Sequence, residues 1–244
     1  MRPLLILKTG STLSHTAARL GDFEDWIIRD LDLPASSIIV VCPFWPDRLP
    51  APENFSGVIL TGSHAMLTRN LPWMRQTAHW LTLIPGSSIP ALGICFGHHL
   101  LAFALGGEVR AHPRGPEVGT VRVETTPAAR HDPLLHDLGP IFSVHAAHTQ
   151  SAIRLPPKAD LLAKNAWEPH HAFRYGDYIW GLQFHPEFSR GAVLDYMAWQ
   201  QETTINGADR CPGDPAAAEA NGPTILRRFA SFVVNTERTW SGQD

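Results

Sequence analysis

The sequence predicts an α/β fold in which a mostly parallel sheet, covered by helices, precedes a region of antiparallel strands. Through about residue 105, short apolar segments alternate with segments of helical periodicity. That alternation is typical of a parallel sheet covered on both faces. Beyond Gly107, strand candidates follow one another closely with turns between them, which favours antiparallel or mixed pairing. With 244 residues, the chain can bury a large core within one domain.

The first half of the chain is predicted to hold four strands and three helices. The helix from about Thr16 to Asp30 places Leu20, Phe23 and Ile27 on one face. The segment from 43 to 52 contains four prolines and is predicted to be a loop. The strands are Pro3–Lys8, Ser37–Cys42, Gly57–Leu60 and Ile89–Ile94, and the two later helices are Leu71–Leu83 and Phe96–Leu105.

The second half is predicted to hold five strands and two helices. A loop covers residues 206–215, and the final helix is interrupted near Asn221 to Pro223. We expect a single domain over residues 1–244, with a core of about 1–190 and a helical tail of about 191–244. The strands are Gly119–Thr125, Ile141–His145, Asp160–Asn165, His171–Tyr175 and Tyr178–Phe184, and the helices span about Gly191–Glu202 and Ala216–Glu237.

Cys95 is predicted to be a nucleophile held between a strand and a helix. Residues 90–94 form a short apolar strand, and residues from 96 onward have helical character. A helix N-terminus carries partial positive charge and unpaired N–H groups, both of which favour the reactive thiolate. Gly93 and Gly97 let the backbone turn tightly beside the thiol. The alternative is that Cys95 is a buried core cysteine, as most free cysteines are.

A histidine and a glutamate ninety residues later complete a candidate triad. The apolar strand that ends near Phe184 is followed by His185, Pro186 and Glu187. A thiol nucleophile needs a base, and the base needs a group that fixes its tautomer. Cys95, His185 and Glu187 can fill these three roles.

The two motifs together resemble the class I, triad-type glutamine amidotransferase family, as a free-standing member. The motifs are Gly93-Ile-Cys95-Phe-Gly97 and Gln183-Phe-His185-Pro-Glu187, and the Gly57-Val-Ile-Leu-Thr-Gly62-Ser63 segment is a third match. The resemblance covers roughly residues 1–190. It implies a flavodoxin-like three-layer sandwich and hydrolysis of the glutamine side-chain amide through a glutamyl thioester. It also implies an oxyanion hole made by backbone N–H groups of Gly62, Ser63 and Phe96.

The resemblance also suggests which residues bind the substrate. Family members usually carry glutamine four residues after the cysteine, whereas this chain has His99. We expect His99 to line the substrate pocket and to titrate near its ordinary pKa of about 6 to 7. The segment that carries His145 and His148 lies where the family has a loop near the glutamine pocket, so both are candidates for substrate binding.

The substrate and the fate of ammonia stay open at this point. The leading hypothesis is a glutaminase or amidotransferase half-reaction, with the ammonia passing to an unnamed acceptor or synthase partner. A γ-glutamyl amide or peptide hydrolase is the alternative, because His99 departs from the family pattern and no synthase module follows. A third hypothesis is a non-enzymatic relative that binds a ligand in the same pocket.

Composition excludes several other classes of protein. The net charge is −3 with no basic patch, which argues against nucleic-acid binding. No apolar run reaches the length of a membrane helix. The three cysteines are far apart, which fits a reducing cytoplasm without a disulfide framework. The thirteen histidines show no metal-binding spacing, so we expect no metal or other cofactor.

Overall fold

The computed structural model describes residues 2–44, 49–203, 211–212 and 221–241. Within these ranges, ten strands form one mixed sheet in the order β12-β6-β9-β10-β11-β4-β3-β1-β2, with β7 paired to β6. Two further strands, β5 and β8, form a separate antiparallel pair. The strands are β1 Leu4–Leu7, β2 Ile38–Val41, β3 Gly57–Leu60, β4 Ala91–Ile94, β5 Glu108–Ala111, β6 Glu117–Thr125, β7 Ile141–His148, β8 Gln150–Arg154, β9 Ala159–Lys164, β10 Ala172–Tyr175, β11 Ile179–Leu182 and β12 Cys211–Pro212.

The sheet is parallel through its first half and antiparallel through most of its second. Strands β2, β1, β3, β4 and β11 pair parallel with one another in that order. The pairs β11–β10, β10–β9, β9–β6 and β6–β7 are antiparallel, whereas β12 pairs parallel with β6. This confirms the predicted change of character after Gly107. The helices are α1 Ser14–Leu20, α2 Phe23–Leu31, α3 Pro72–Leu81, α4 Ile84–Ser87, α5 Phe96–Ala104, α6 Arg190–Thr203 and α7 Gly222–Ser241.

Helices cover both faces of the parallel strands, which gives the three-layer sandwich. The four residues of β1 are all buried, and they alternate between two separate clusters of the core. Leu4 and Ile6 pack with residues of α2 and α7, whereas Leu5 and Leu7 pack with residues of α3 and α5. A strand that is buried on both faces has a continuous run of apolar residues, which is why the sequence pattern predicts these strands.

The helix predicted from Thr16 to Asp30 is wrong as a single element. It is two helices, separated at Gly21, whose φ of 84° lies outside the helical region. Asp22 then caps α2, because its carboxylate accepts a hydrogen bond from the backbone N–H of Phe23. Asp22 and Asp25 also form a capping box, in which the side chain of each accepts from the backbone N–H of the other. The helix break and the new cap therefore occur although the apolar periodicity of the sequence continues through them.

The ends of the chain also differ from the prediction. Cys211 and Pro212, predicted to lie in a loop, pair with Glu117 and Val118 of β6. The last helix begins at Gly222 and continues to Ser241 without interruption. The predicted helical residues 216–220 and most of the predicted loop 206–215 lie outside the described residues. Strands β5 and β8 were not predicted. The single-domain assignment stays a prediction.

Candidate active site

Three parallel strands carry the candidate site at their carboxyl ends. Strand β4 lies between β3 and β11, with Leu60 opposite Gly93 and Leu182 opposite Ile94. Gly62, Cys95 and His185 follow these three strands within a few residues. The carboxyl ends of adjacent parallel strands meet at the same edge of the sheet, where open α/β folds bind their ligands. The topology therefore brings together residues that are up to 123 positions apart in the sequence.

Cys95 lies on a sharp turn between β4 and α5. Its φ of 49° and ψ of −98° are unusual for a residue with a Cβ, which is consistent with strain stored at a functional position. Gly93 and Gly97 make this turn possible through close packing. A Cβ on Gly93 would lie 2.4 Å from the Gly97 carbonyl oxygen, and a Cβ on Gly97 would lie 2.6 Å from that of Leu60. The helix can approach the sheet only because both side chains are absent.

The Cys95 side chain is buried and contacts groups from two other strands. Its thiol donates a weak hydrogen bond to the Ala147 carbonyl oxygen at 3.7 Å. It also lies close enough to the imidazole of His185 for the sulfur to raise the pKa of that ring. At the N-terminus of α5, the first N–H groups have no partner within the helix, so Phe96 presents its N–H beside the thiol. A thiol, an imidazole and a backbone N–H thus lie next to one another.

His185 is held between Cys95 and Glu187. Its Nδ1 is 2.7 Å from Glu187 Oε1, and both side chains are buried. Because Nδ1 is committed to the carboxylate, Nε2 is the nitrogen left for the thiol. The ring also stacks on Phe188, with 4.0 Å between the ring centroids, and its backbone N–H donates to the His145 carbonyl oxygen at 2.7 Å. Its position is therefore fixed from three directions.

The charges around His185 favour its protonated form. Burial alone would lower the pKa of His185, but the negative charges of Glu187 and Cys95 outweigh it and raise the pKa to about 10. A cationic imidazole is the expected partner of a thiolate. The arrangement can therefore keep a proton on His185 beside the sulfur of Cys95, where it could pass to a leaving group.

The turn after β3 presents a backbone N–H on the opposite side from two buried threonines. The Gly62 carbonyl oxygen accepts hydrogen bonds from the hydroxyls of Thr9 at 3.2 Å and Thr61 at 3.0 Å. In a trans peptide the next N–H points the opposite way, so the Ser63 N–H is directed away from the threonines. Ser63 lines the cavity together with Cys95 and Phe96. The assignment of the oxyanion hole to Gly62, Ser63 and Phe96 stays a prediction.

Cys95 opens into a small cavity of about 90 Å³. One part of its wall is aromatic and comes from α6, in the region beyond residue 190. Tyr196 hydrogen-bonds Thr12 at 3.1 Å and His64 at 2.9 Å, and the His64 ring stacks on Trp199. We did not predict His64, Tyr196 or Trp199 as site residues. The i, i+3 spacing of the two aromatic residues on α6 was the available signal.

His99 lies in the wall of this cavity, but its surroundings correct one expectation. Its Nε2 is 2.7 Å from Gln183 Oε1, so the ring is anchored to the segment after β11 that also carries His185. Burial lowers the pKa of His99 to about 3, even though the hydrogen bond to Gln183 opposes it. The expectation that His99 titrates near pH 6 to 7 was wrong, since the side chain is neutral at physiological pH. Its contact with substrate stays a prediction.

The other two histidines predicted to bind substrate have different surroundings. His148 lines the cavity, with its ring bonded to Glu117 and to the backbone of Gln150. His145 is not part of the cavity wall, and its Nδ1 is 3.0 Å from the Thr120 hydroxyl. Burial, reinforced by the nearby charge of His185, lowers the pKa of His145 to about 4. The contribution of His145 that the geometry shows is the carbonyl that receives the His185 N–H.

The described residues also bear on metal and membrane binding. Over the ranges that the structure describes, no group of three or more His, Cys, Asp or Glu side chains is arranged to hold a metal ion. None of the helices in those ranges is both long enough and apolar enough to cross a membrane. Cys42 and Cys95 are free thiols.

The thiol lies at a strand–helix turn and faces a histidine that is paired with a glutamate. This arrangement is typical of α/β proteins that use a cysteine nucleophile. The family assignment follows from the sequence as a whole. The family model for glutamine amidotransferase class-I matches residues 23–197, which is most of the chain. The chain therefore belongs to the class I glutamine amidotransferase family.

Individual relatives and solved structures agree with this assignment. The chain is 30% identical over 188 residues to a glutamine-hydrolyzing GMP synthase of Aeropyrum pernix, covering 75% of this chain but only 32% of the relative. It is 31% identical over 165 residues to one subunit of the glutamine-hydrolyzing GMP synthase of Methanothermobacter thermautotrophicus, covering 66% of this chain and 78% of the relative.

More distant likenesses extend the comparison. Gamma-glutamyl peptidase 4 of Arabidopsis thaliana is 25% identical over 147 residues, covering 59% of each chain. The fold matches a glutamine amidotransferase from Thermotoga maritima with a TM-score of 0.72, covering 96% of this chain and 99% of the other at 21% identity. The flavodoxin-like sandwich expected from the resemblance is therefore confirmed, and the named relatives include glutamine-hydrolysing enzymes.

Proposed function

We propose that this protein hydrolyses the side-chain amide of glutamine, or of a related γ-glutamyl compound, with Cys95, His185 and Glu187 as its catalytic triad. The observation that carries the proposal is the position of His185, whose ring hydrogen-bonds Glu187 and lies close enough to Cys95 for the sulfur to raise its pKa. A thiol, an imidazole and a carboxylate in this order can activate a nucleophile and fix the tautomer of its base.

The expected reaction proceeds through a thioester. The Cys95 sulfur attacks the amide carbon, and the carbonyl oxygen becomes an oxyanion facing the N–H groups of Ser63 and Phe96. The proton on His185 passes to the amide nitrogen as the carbon–nitrogen bond breaks, and ammonia leaves. His185 then removes a proton from water, which attacks the thioester and releases the γ-carboxylate with the free thiol. Glu187 holds the imidazolium that forms in both half-reactions.

The experiment that tests the proposal measures ammonia from purified protein supplied with glutamine. We expect steady ammonia release from the wild-type protein and a loss of at least ~10²-fold in Cys95→Ser, because a hydroxyl is a poorer nucleophile without stronger activation. Cys42→Ser is the matched control, since Cys42 is also a free thiol but lies outside the cavity. Ammonia release that is equal in all three proteins would contradict the triad.

A γ-glutamyl amide or peptide hydrolase is the second candidate function. His99 favours it, because an imidazole anchored to Gln183 stands where the family usually has glutamine. We expect His99→Gln to raise kcat/KM for glutamine relative to larger γ-glutamyl amides. Unchanged selectivity would assign His99 a structural role.

Relatives that form one subunit of a GMP synthase support a further proposal to test, delivery of ammonia to a synthase partner.

A further inference from the structure

A buried group of ionisable side chains lies behind one wall of the cavity, outside the triad. At its centre is Glu117 of β6, whose side chain is fully buried. Its Oε2 accepts a hydrogen bond from His148 Nε2 at 2.9 Å and lies 3.1 Å from His171 Nε2. Its Oε1 accepts from the Asn165 amide at 2.8 Å. Burial raises the pKa of Glu117, but these histidines outweigh it and hold the pKa below its ordinary range.

The hydrogen bonds of His148 require a proton on each ring nitrogen. Its Nε2 faces the Glu117 carboxylate, and its Nδ1 lies 3.0 Å from the Gln150 carbonyl oxygen. Both partners can only accept, and a neutral imidazole has a single N–H. His171, the other histidine at this carboxylate, has no hydrogen-bond partner for Nδ1 among the described residues, so its geometry does not call for a second proton. The buried proton is therefore placed on His148.

The positive member of this pair faces the nucleophile. His148 and Cys95 both line the cavity, whereas Glu117 is not part of its wall. The Cys95 thiol also bonds the carbonyl of Ala147, the residue directly before His148. In a buried site the Coulomb energy is large and falls with distance, so the nearer charge dominates. A cation at His148 backed by an anion behind it therefore produces a net positive potential at the thiol.

We propose that Glu117 is a positioning residue that holds His148 as a second imidazolium in the cavity wall, where its charge favours the Cys95 thiolate. His148 cannot donate to a substrate, because both N–H groups point into the protein, so it acts through its charge. The other ionisable groups around His148 are His171, His112, His99 and Glu168. The carboxylates of Glu117 and Glu168 both favour the positive charge on His148. Although burial alone would lower it, the pKa of His148 is raised by Glu117. The inference rests on the proposed function only in taking Cys95 as the nucleophile.

The test is alkylation of Cys95 by iodoacetamide at pH 6.5, quantified on the peptide that contains Cys95. Glu117→Gln keeps the shape and removes the charge that retains the His148 proton. We expect the alkylation rate to fall at least fivefold. Asp132→Asn is the matched control, because Asp132 is an equally buried carboxylate, bonded to Leu134, Leu135 and Trp180 outside the cavity. A rate in Glu117→Gln equal to that of wild type or of Asp132→Asn would overturn the proposal.

Iodoacetate separates an effect on the thiol from an effect on anionic ligands. If Glu117→Gln slows iodoacetate alone and leaves iodoacetamide unchanged, the charge acts on incoming anions and the proposal is wrong. Neither reagent requires glutamine. A protein that releases no ammonia from glutamine but shows the fivefold fall would therefore refute the proposed function and retain this inference.

A second measurement needs no variant and guards against misfolding of Glu117→Gln. In the wild-type protein labelled with ¹⁵N-histidine, both ring nitrogens of His148 should carry protons at pH 7.5. His99, whose pKa is lowered to about 3, is the internal reference for a neutral buried ring. A neutral His148 at that pH would overturn the proposal.

Discussion

Gly62 lies against the imidazole of His185, and filling the missing side chain should misplace the proposed base. A Cβ at Gly62 would lie 2.8 Å from His185 Cε1. Carbon atoms normally pack about 3.5–4.0 Å apart, so the ring would have to move by roughly 0.7–1.2 Å. Its hydrogen bond to Glu187 and its stacking on Phe188 leave no direction in which it can move freely. Because a misplacement of about 1 Å can cost ~10²-fold, we expect Gly62→Ala to lose about that factor in kcat/KM.

The assay follows ammonia release from glutamine by coupled NADH oxidation. Gly86→Ala is the matched control, because no atom lies within 4 Å of the Cβ it would add. Gly86 is in helix α4, so its replacement by alanine should leave activity unchanged and stabilise the fold by up to about 1 kcal/mol. A folded Gly62→Ala protein with wild-type kcat/KM would refute the reasoning that catalysis requires His185 to stay where the missing side chain of Gly62 leaves it.

Three further substitutions test the surroundings of His185, His99 and Gly93. In Glu187→Gln the carboxylate that raises the pKa of His185 is lost, so kcat/KM should fall by about 10²–10⁴-fold and alkylation of Cys95 should slow at pH 6.5. The pKa of His99 is about 3 in the folded state and about 6.5 when unfolded, so stability is lost as the pH falls through this range. Wild type should lose about 3 kcal/mol from this group between pH 7 and pH 4, and urea titrations of His99→Gln should show that much less acid sensitivity. Gly93→Ala should lower the melting temperature strongly, because its Cβ would lie 2.4 Å from a carbonyl oxygen, and an unchanged melting temperature would show that the turn can relax.

The parallel half of the fold and the position of Cys95 could be predicted because their signals are local. Strands β1, β3, β4 and β11 are buried on both faces, and so each appears as a short continuous apolar run. The turn at Cys95 is marked by Gly93 and Gly97, which the close packing of α5 on the sheet requires. The proximity of His185 to Cys95 followed from the family resemblance, and the structure explains it by the adjacency of β4 and β11.

Features that depend on tertiary contacts were not predictable in the same way. The break at Gly21 interrupts an apolar periodicity that continues on both sides, so the pattern alone favoured one helix. Strands β5 and β8 pair across about forty residues, and neither shows the alternation of buried and exposed side chains that would mark a strand. The ordinary pKa assumed for His99 failed because burial dominates its environment. Glu117 and His148 are thirty-one residues apart, and only the pairing of β6 with β7 makes them neighbours.

The most direct test of the triad is the identity of the residue that becomes covalently bound during turnover. A glutamine-like electrophile such as diazo-oxonorleucine should add to Cys95 alone, and peptide mass spectrometry would locate the adduct. The adduct should form quickly in wild type and slowly in a folded His185→Gln variant, because that variant lacks the base that shares its proton with the thiol. An adduct on Cys42 or Cys211 with Cys95 unmodified would contradict the proposed nucleophile.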